Sequence, residues 1–190
     1  MERFGSLPAA AAWRHEEARD GFEVAFFATG DDGVAIAGET AAVEAGEPWW
    51  VGYAIELDAA WVTRRARVRV RSRTGERETL LESDGAGHWR VDGEPAPWLD
   101  RCMDVDLESS AMTNAFPVRR LRPGLGVRTD APAAYVRAPG LQVERLDQTY
   151  RRLVGRRFEY DCRRFDFTCE LAYDESGLVT TYPGIARRAH

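Results

Sequence analysis

The chain has 190 residues, 44% of them hydrophobic, with 26 basic and 31 acidic side chains and a formal net charge of -5. That length supplies one substantial core, and the acidic balance excludes a nucleic-acid binder, whose phosphate contacts need a clustered positive surface. No apolar run approaches the ~18 residues of a membrane-spanning helix, and the apolar stretch at residues 7–12 is too short for a signal-peptide core. The expectation is therefore a single soluble domain over residues 1–190, cytoplasmic, with every basic residue an arginine.

In chain order, the alanine-rich run 7–13 reads as the start of a helical turn, although no sustained 3.6-residue period follows. Trp49 and Trp50 are adjacent, so on a strand one ring is buried and the other faces outward or into a groove. Trp50 and Tyr53 are the aromatic candidates for recognition. In R-A-R-V-R-V-R, residues 65–71, small or apolar residues alternate with arginines, the period of a strand with one wet face. Glu76 and Glu78 follow the turn at Thr74-Gly75, where they can pair across it with those arginines. Residues 79–83 form the next strand, Asp84 to Gly87 a turn, and His88 to Val91 another strand closed by Asp92-Gly93.

The stretch C-M-D-V-D-L, residues 102–107, places Asp104 and Asp106 on one strand face, about 6 to 7 Å apart. Thr113 and Asn114 read as turn residues. Pro117 biases Phe116 toward an extended backbone, from which residues 118–121 run on as a strand. Arg119 and Arg120 then point to opposite faces, and one of them reaches the aspartates. Residues 121–140, punctuated by Pro123, Pro132 and Pro139, form the most loop-rich stretch, and residues 147–154 read as a short helix. Near the end, Phe165, Phe167, Cys169, Leu171 and Tyr173 share one strand face, followed by a turn at 174–177 and a β-branched run at 179–181.

The fold class is all-β with little helix: curved antiparallel sheets forming a β-roll or half-open barrel. L-D-x-x-aromatic occurs at Leu57 to Trp61 and again at Leu146 to Tyr150, 89 residues later. With the strand pattern that follows each copy, this points to an internal duplication spanning about 22–93 and 115–184.

The paired aspartates support three readings. They can hold a divalent cation if further oxygen ligands arrive from elsewhere, work as a general acid and base, or accept hydrogen bonds from arginines and turn amides. Ser109 and Ser110 lack a G-x-S-x-G elbow. His15, His88 and His190 have no partnered nucleophile. Cys102, Cys162 and Cys169 lack metal or redox spacing and read as unpaired core residues. No catalytic residue, metal or cofactor is assigned.

The combination C-x-D-V-D-L…T-N-x-F-P-V-R-R-L, then T-Y-R-R-L at Thr149 to Leu153, F-E-Y at Phe158 to Tyr160, and D-x-x-G-L-V-x-x-Y-P-G from Asp174 to Gly184, resembles the bacterial "putative glycolipid-binding" family. D-x-x-W-x-T-R at Asp58 to Arg64 and G-x-W-x-x-D-G at Gly87 to Gly93 extend the likeness across nearly the whole chain. Two positions depart from the pattern: Ala111 stands in place of a proline and Arg101 in place of a glycine. The resemblance implies a roll of curved antiparallel sheets and a glycolipid or other amphipathic small molecule as partner. Such a ligand needs an apolar concavity with a few convergent polar groups. Asp104, Asp106, Thr113, Asn114, Arg119 and Arg120 are the candidates for the polar groups, with Trp50 and Tyr53 as aromatic surface. The alternatives are a metal-dependent hydrolase of a phosphorylated small molecule, with Asp104 and Asp106 on Mg2+ or Mn2+ and an arginine on phosphate, and a structural β-scaffold that binds another protein.

Overall fold

The computed structural model describes residues 4–190. Strands β1 (Ala10–His15), β2 (Asp20–Gly30), β3 (Gly33–Glu44), β4 (Glu47–Asp58), β5 (Thr63–Ser72), β6 (Gly75–Ser83), β7 (Trp89–Val91) and β8 (Glu94–Pro95) follow one another as an antiparallel meander. A central segment then carries β9 (Asp104–Leu107), helix α1 (Ala115–Leu121), β10 (Arg128–Asp130), β11 (Ala133–Val136) and β12 (Val143–Leu146). The chain returns as a second meander: β13 (Thr149–Arg152), β14 (Arg157–Cys162), β15 (Phe167–Tyr173), β16 (Val179–Tyr182) and β17 (Ala186–Arg188).

Pairing of β17 with β1 joins the two meanders into one 14-stranded sheet in the order β10-β13-β14-β15-β16-β17-β1-β2-β3-β4-β5-β6-β7-β8. The sheet is curved and not closed into a barrel. A small second sheet, β12-β11-β9, contains a parallel pairing, β9 with β11, where the named strands of the large sheet pair antiparallel. The all-β roll with little helix expected from the sequence is the fold observed.

Alternation explains which face is buried. Along β3, Val34, Ile36, Gly38, Thr40 and Ala42 are buried and the residues between them are exposed. Along β5, Ala66, Val68 and Val70 face the core, and Arg67 and Arg71 form ion pairs across the hairpin with Glu78 and Glu76 at 3.0 and 2.9 Å. Trp49 is buried, whereas Trp50 is half-buried on the opposite, outer face. Close approach fixes one glycine: the Tyr53 ring lies over Gly38 on the neighbouring strand, and a Cβ there would sit 2.3 Å from the ring.

The core has two parts. One, built on the first meander, contains Trp13, Trp49, Ile55, Val68, Leu81, Trp89, Leu99, Val105, Met112 and Phe116. The other, rich in tyrosine, contains Tyr135, Tyr150, Phe158, Tyr160, Leu171, Tyr173 and Val179. Helix α1 packs between them, with Phe116 in the first and Val118 in the second. Cys102, Cys162 and Cys169 are free thiols.

Three local expectations are corrected. Residues 118–121 lie in α1, not in a strand, because Pro117 falls in the first helical turn, where its missing N–H leaves no ladder bond unmade. The alanine run is strand β1, since pairing with β2 on one side and β17 on the other overrides alanine's helix preference. Residues 149–152 form β13, held between β10 and β14.

Arg101, which replaces the glycine of the resembled pattern, has φ of 72°. A side chain in this left-handed region costs about 1–2 kcal/mol, which accounts for glycine there. Arg101→Gly is expected to stabilise the protein by about 0.5–1 kcal/mol, read as a rise of a few degrees in the melting midpoint. A lower midpoint would show that the exposed arginine side chain contributes more than its backbone conformation costs.

Candidate functional site

The central segment is stitched to the inner face of the sheet by buried polar contacts. The Val105 amide donates to Thr63 Oγ1 at 3.0 Å and the Thr40 hydroxyl to the Ser109 carbonyl at 2.8 Å. A central group among these contacts is Glu23 of β2, which is fully buried. Its carboxylate accepts from the Tyr53 hydroxyl at 2.6 Å, from the Ala111 amide at 2.8 Å and from the Ser110 hydroxyl. Burial pushes its pKa up to about 6, against the opposing pull of those donors.

The two aspartates of β9 have different partners. Arg120 reaches Asp104 with both arms of a bidentate fork, Nε to Oδ1 at 3.0 Å and Nη2 to Oδ2 at 2.5 Å. Asp106 accepts from Thr113 Oγ1 at 2.9 Å, and burial lifts its pKa to about 6. Asn114 is anchored by two tyrosines: Tyr150 donates to its side-chain oxygen at 2.8 Å and Tyr173 to its carbonyl at 3.2 Å. Neither bond uses the Asn114 amide nitrogen, which can donate.

A cavity of about 270 Å³ opens beside these residues. Asp106, Ser110 and Asn114 form its polar side, with Glu108. Tyr160, Phe167 and Tyr182 form its aromatic side, with ring centroids 5.9 to 6.2 Å apart. Arg19 and Glu44 line the cavity and also an outer cleft of about 850 Å³.

The structure thus brings Asp106 and Asn114 to the cavity, with Thr113 holding Asp106 from behind. Asp104 and Arg120 form their own closed pair next to it. Arg119 donates to the carbonyls of Ser176 and Gly5 and stacks on Trp61 at 3.9 Å, on another side of α1. Tyr53 sits in the core on Glu23, and Trp50 lies over Gly52 on the outer face. The sequence reading missed Glu23, Arg19, Glu44, Tyr160 and Tyr182. Tyr160 and Tyr182 stood in the family motifs without being singled out, and Glu23 carried a signal as an acid on the inward phase of β2 with Ala25. Among the described residues, no group of three or more His, Cys, Asp or Glu side chains could hold a metal ion. None of the helices among them is long and apolar enough to cross a membrane.

An open, curved β-roll, filled by a helical segment and hollowed at a small polar and aromatic cavity, defines the structural class. The chain belongs to the family described as "putative glycolipid-binding", whose model matches residues 10–188. It is similar to a crystal structure of a DUF1089 family protein from Pseudomonas aeruginosa, with 36% identity, a TM-score of 0.77, and coverage of 87% of this chain and 91% of that one. No curated protein matches the chain.

Asp106 yields a pH prediction. A carboxyl whose folded pKa is raised from 3.8 to about 6 contributes stability below about pH 4 that is lost as pH rises through 6. Asp106→Asn, which keeps the acceptor for Thr113, is expected to flatten the pH dependence of unfolding between pH 4 and 7. It should gain on the order of 1–3 kcal/mol relative to wild type at pH 7 compared with pH 4. Urea titrations at four pH values check this, and parallel curves for the two proteins would contradict it.

Proposed function

We propose that the protein is a non-enzymatic binder of an amphipathic small molecule, a glycolipid, whose sugar head enters the cavity between Asp106, Asn114 and the aromatic group Tyr160, Phe167 and Tyr182. The observation that carries the reading is this pairing of hydrogen-bonding groups with flat rings in one concave site. A sugar ring presents hydroxyls at its rim and C–H groups on its faces. Asp106 and the Asn114 amide suit the first and the aromatic rings the second. The family description supports a glycolipid as the ligand class.

Volume decides how much of the ligand enters. At ~30 Å³ per water the cavity holds about nine waters, and it lies just under the ~300 Å³ at which pockets for drug-sized ligands begin. One sugar ring fits and a ring with a long acyl chain does not, so the chain extends outward. The hydrolase reading asks for more rearrangement. Arg120 engages both oxygens of Asp104, and a divalent cation bridging the aspartates would first have to displace that bidentate guanidinium.

The test is calorimetric or NMR titration with octyl glucoside below its micelle concentration. Wild type is expected to bind saturably, and Phe167→Ala to bind about 10- to 100-fold more weakly, since a contacting aromatic side chain contributes roughly 1.5–3 kcal/mol. Trp50→Ala, on the outer face, should bind as wild type does. Equal losses in the two variants would move the site to another surface, and no saturable binding would remove the proposal.

A further inference from the structure

Arg19 stands in the turn between β1 and β2, where its amide donates to the Glu16 carbonyl at 3.1 Å. Its side chain is 6% exposed, and the guanidinium packs over the Trp49 ring at 5.2 Å. Two of its three nitrogens, Nε and Nη1, are buried and donate to no group among the described residues. Glu44 Oε2 forms a long ion pair with Nε at 3.9 Å, beyond hydrogen-bond range, and that oxygen too lacks a hydrogen-bond partner among the described residues.

Other arginines withdrawn from solvent are better matched: Arg120 has its fork on Asp104, Arg119 donates from both terminal nitrogens to carbonyls, and Arg188 meets Asp174 at 3.3 Å. A buried cation with unmet donors is costly. This one lies where the inner cavity and the outer cleft share a wall. In that cleft Arg187 is already taken by Glu16 at 3.1 Å, which leaves Arg19 as the withdrawn cation facing both spaces. Glu44, with 37% of its side chain exposed, has room to turn toward water, whereas Arg19 is pinned against Trp49.

Building on the head-group reading above, we propose that Arg19 is an anion subsite, so that the ligand is an acidic glycolipid whose carboxylate or phosphate meets this guanidinium while the sugar ring occupies the aromatic cavity. The arginine supplies charge-assisted hydrogen bonds of the kind that discriminate an anionic head from its neutral counterpart. The pinned ring stack keeps it in place before the ligand arrives, which lowers the ordering cost of binding.

Three probes that differ at one carbon test the inference: octyl glucoside, octyl glucuronide and octyl glucoside 6-phosphate, titrated into wild type at constant ionic strength. One or both charged probes should bind about 10- to 100-fold more tightly than the neutral one. The tighter of the two identifies carboxylate or phosphate as the source of charge. Arg19→Gln should bring that ratio close to one, with Arg19→Lys in between, and the wild-type comparison stands even if a variant fails to fold. Equal affinity for all three probes, or an unchanged ratio in Arg19→Gln, would overturn the anion subsite. If octyl glucoside binds and the charged probes bind no better, the anion subsite falls and the head-group proposal stands. If none binds, both fall.

Discussion

A single buried carboxylate organises the interior. An open sheet of fourteen strands has a concave face but nothing of its own to fill it, and the helical part of the segment that does so is anchored where Ser110 and Ala111 meet Glu23. Placing a carboxyl group in the core is costly unless its oxygens are satisfied. Here Tyr53, from two strands away, and the Ser110 and Ala111 donors provide that satisfaction. The same bonds fix the start of the helical stretch that carries Thr113, Asn114, Arg119 and Arg120. Glu23 thereby sets the position of groups more than eighty residues away in sequence, and its raised pKa is the residual cost of the arrangement.

From that anchor the rest follows by packing. Phe116 is committed to the tryptophan-rich core of the first meander and Val118 to the tyrosine-rich core of the second, so α1 spans the two halves of the sheet. Asn114, one turn earlier, is held by Tyr150 and Tyr173. Asp106 is held by Thr113 on one side and by β11 on the other. The cavity is the space left between this helical plug and strands β14, β15 and β16, and its aromatic wall is held by strands, with Tyr160 on β14, Phe167 on β15 and Tyr182 on β16.

Legibility in the sequence followed locality. The hairpin of β5 and β6 could be read because period-two alternation and cross-strand charge act between neighbours, and the inward face of β15 could be read for the same reason. The family pattern flagged Arg101, and its positive φ explains the flag. Helix α1 was not legible, because a proline in a first helical turn looks the same in sequence as one that opens a strand. β1 was hidden by alanine, whose helix preference is outweighed by pairing on both sides, with the neighbouring β2 and with β17 from the far end of the chain. Asp106 and Asn114 drew notice as residue types, but their convergence with Tyr160, Phe167 and Tyr182 depends on how the second meander folds back. Arg19 gave no sign at all, since what distinguishes it is a pair of buried nitrogens with no hydrogen-bond partner among the described residues.

Hydrogen exchange in a Glu23→Ala variant tests most directly whether this carboxylate anchors the plug. The account predicts that the amides of Leu107, Ala111 and Met112 lose protection together while those of the β3 and β4 pairing keep theirs, because the plug loosens from an intact sheet. Unchanged protection across residues 107–121 would contradict it, and the cavity would then owe its shape to side-chain packing alone.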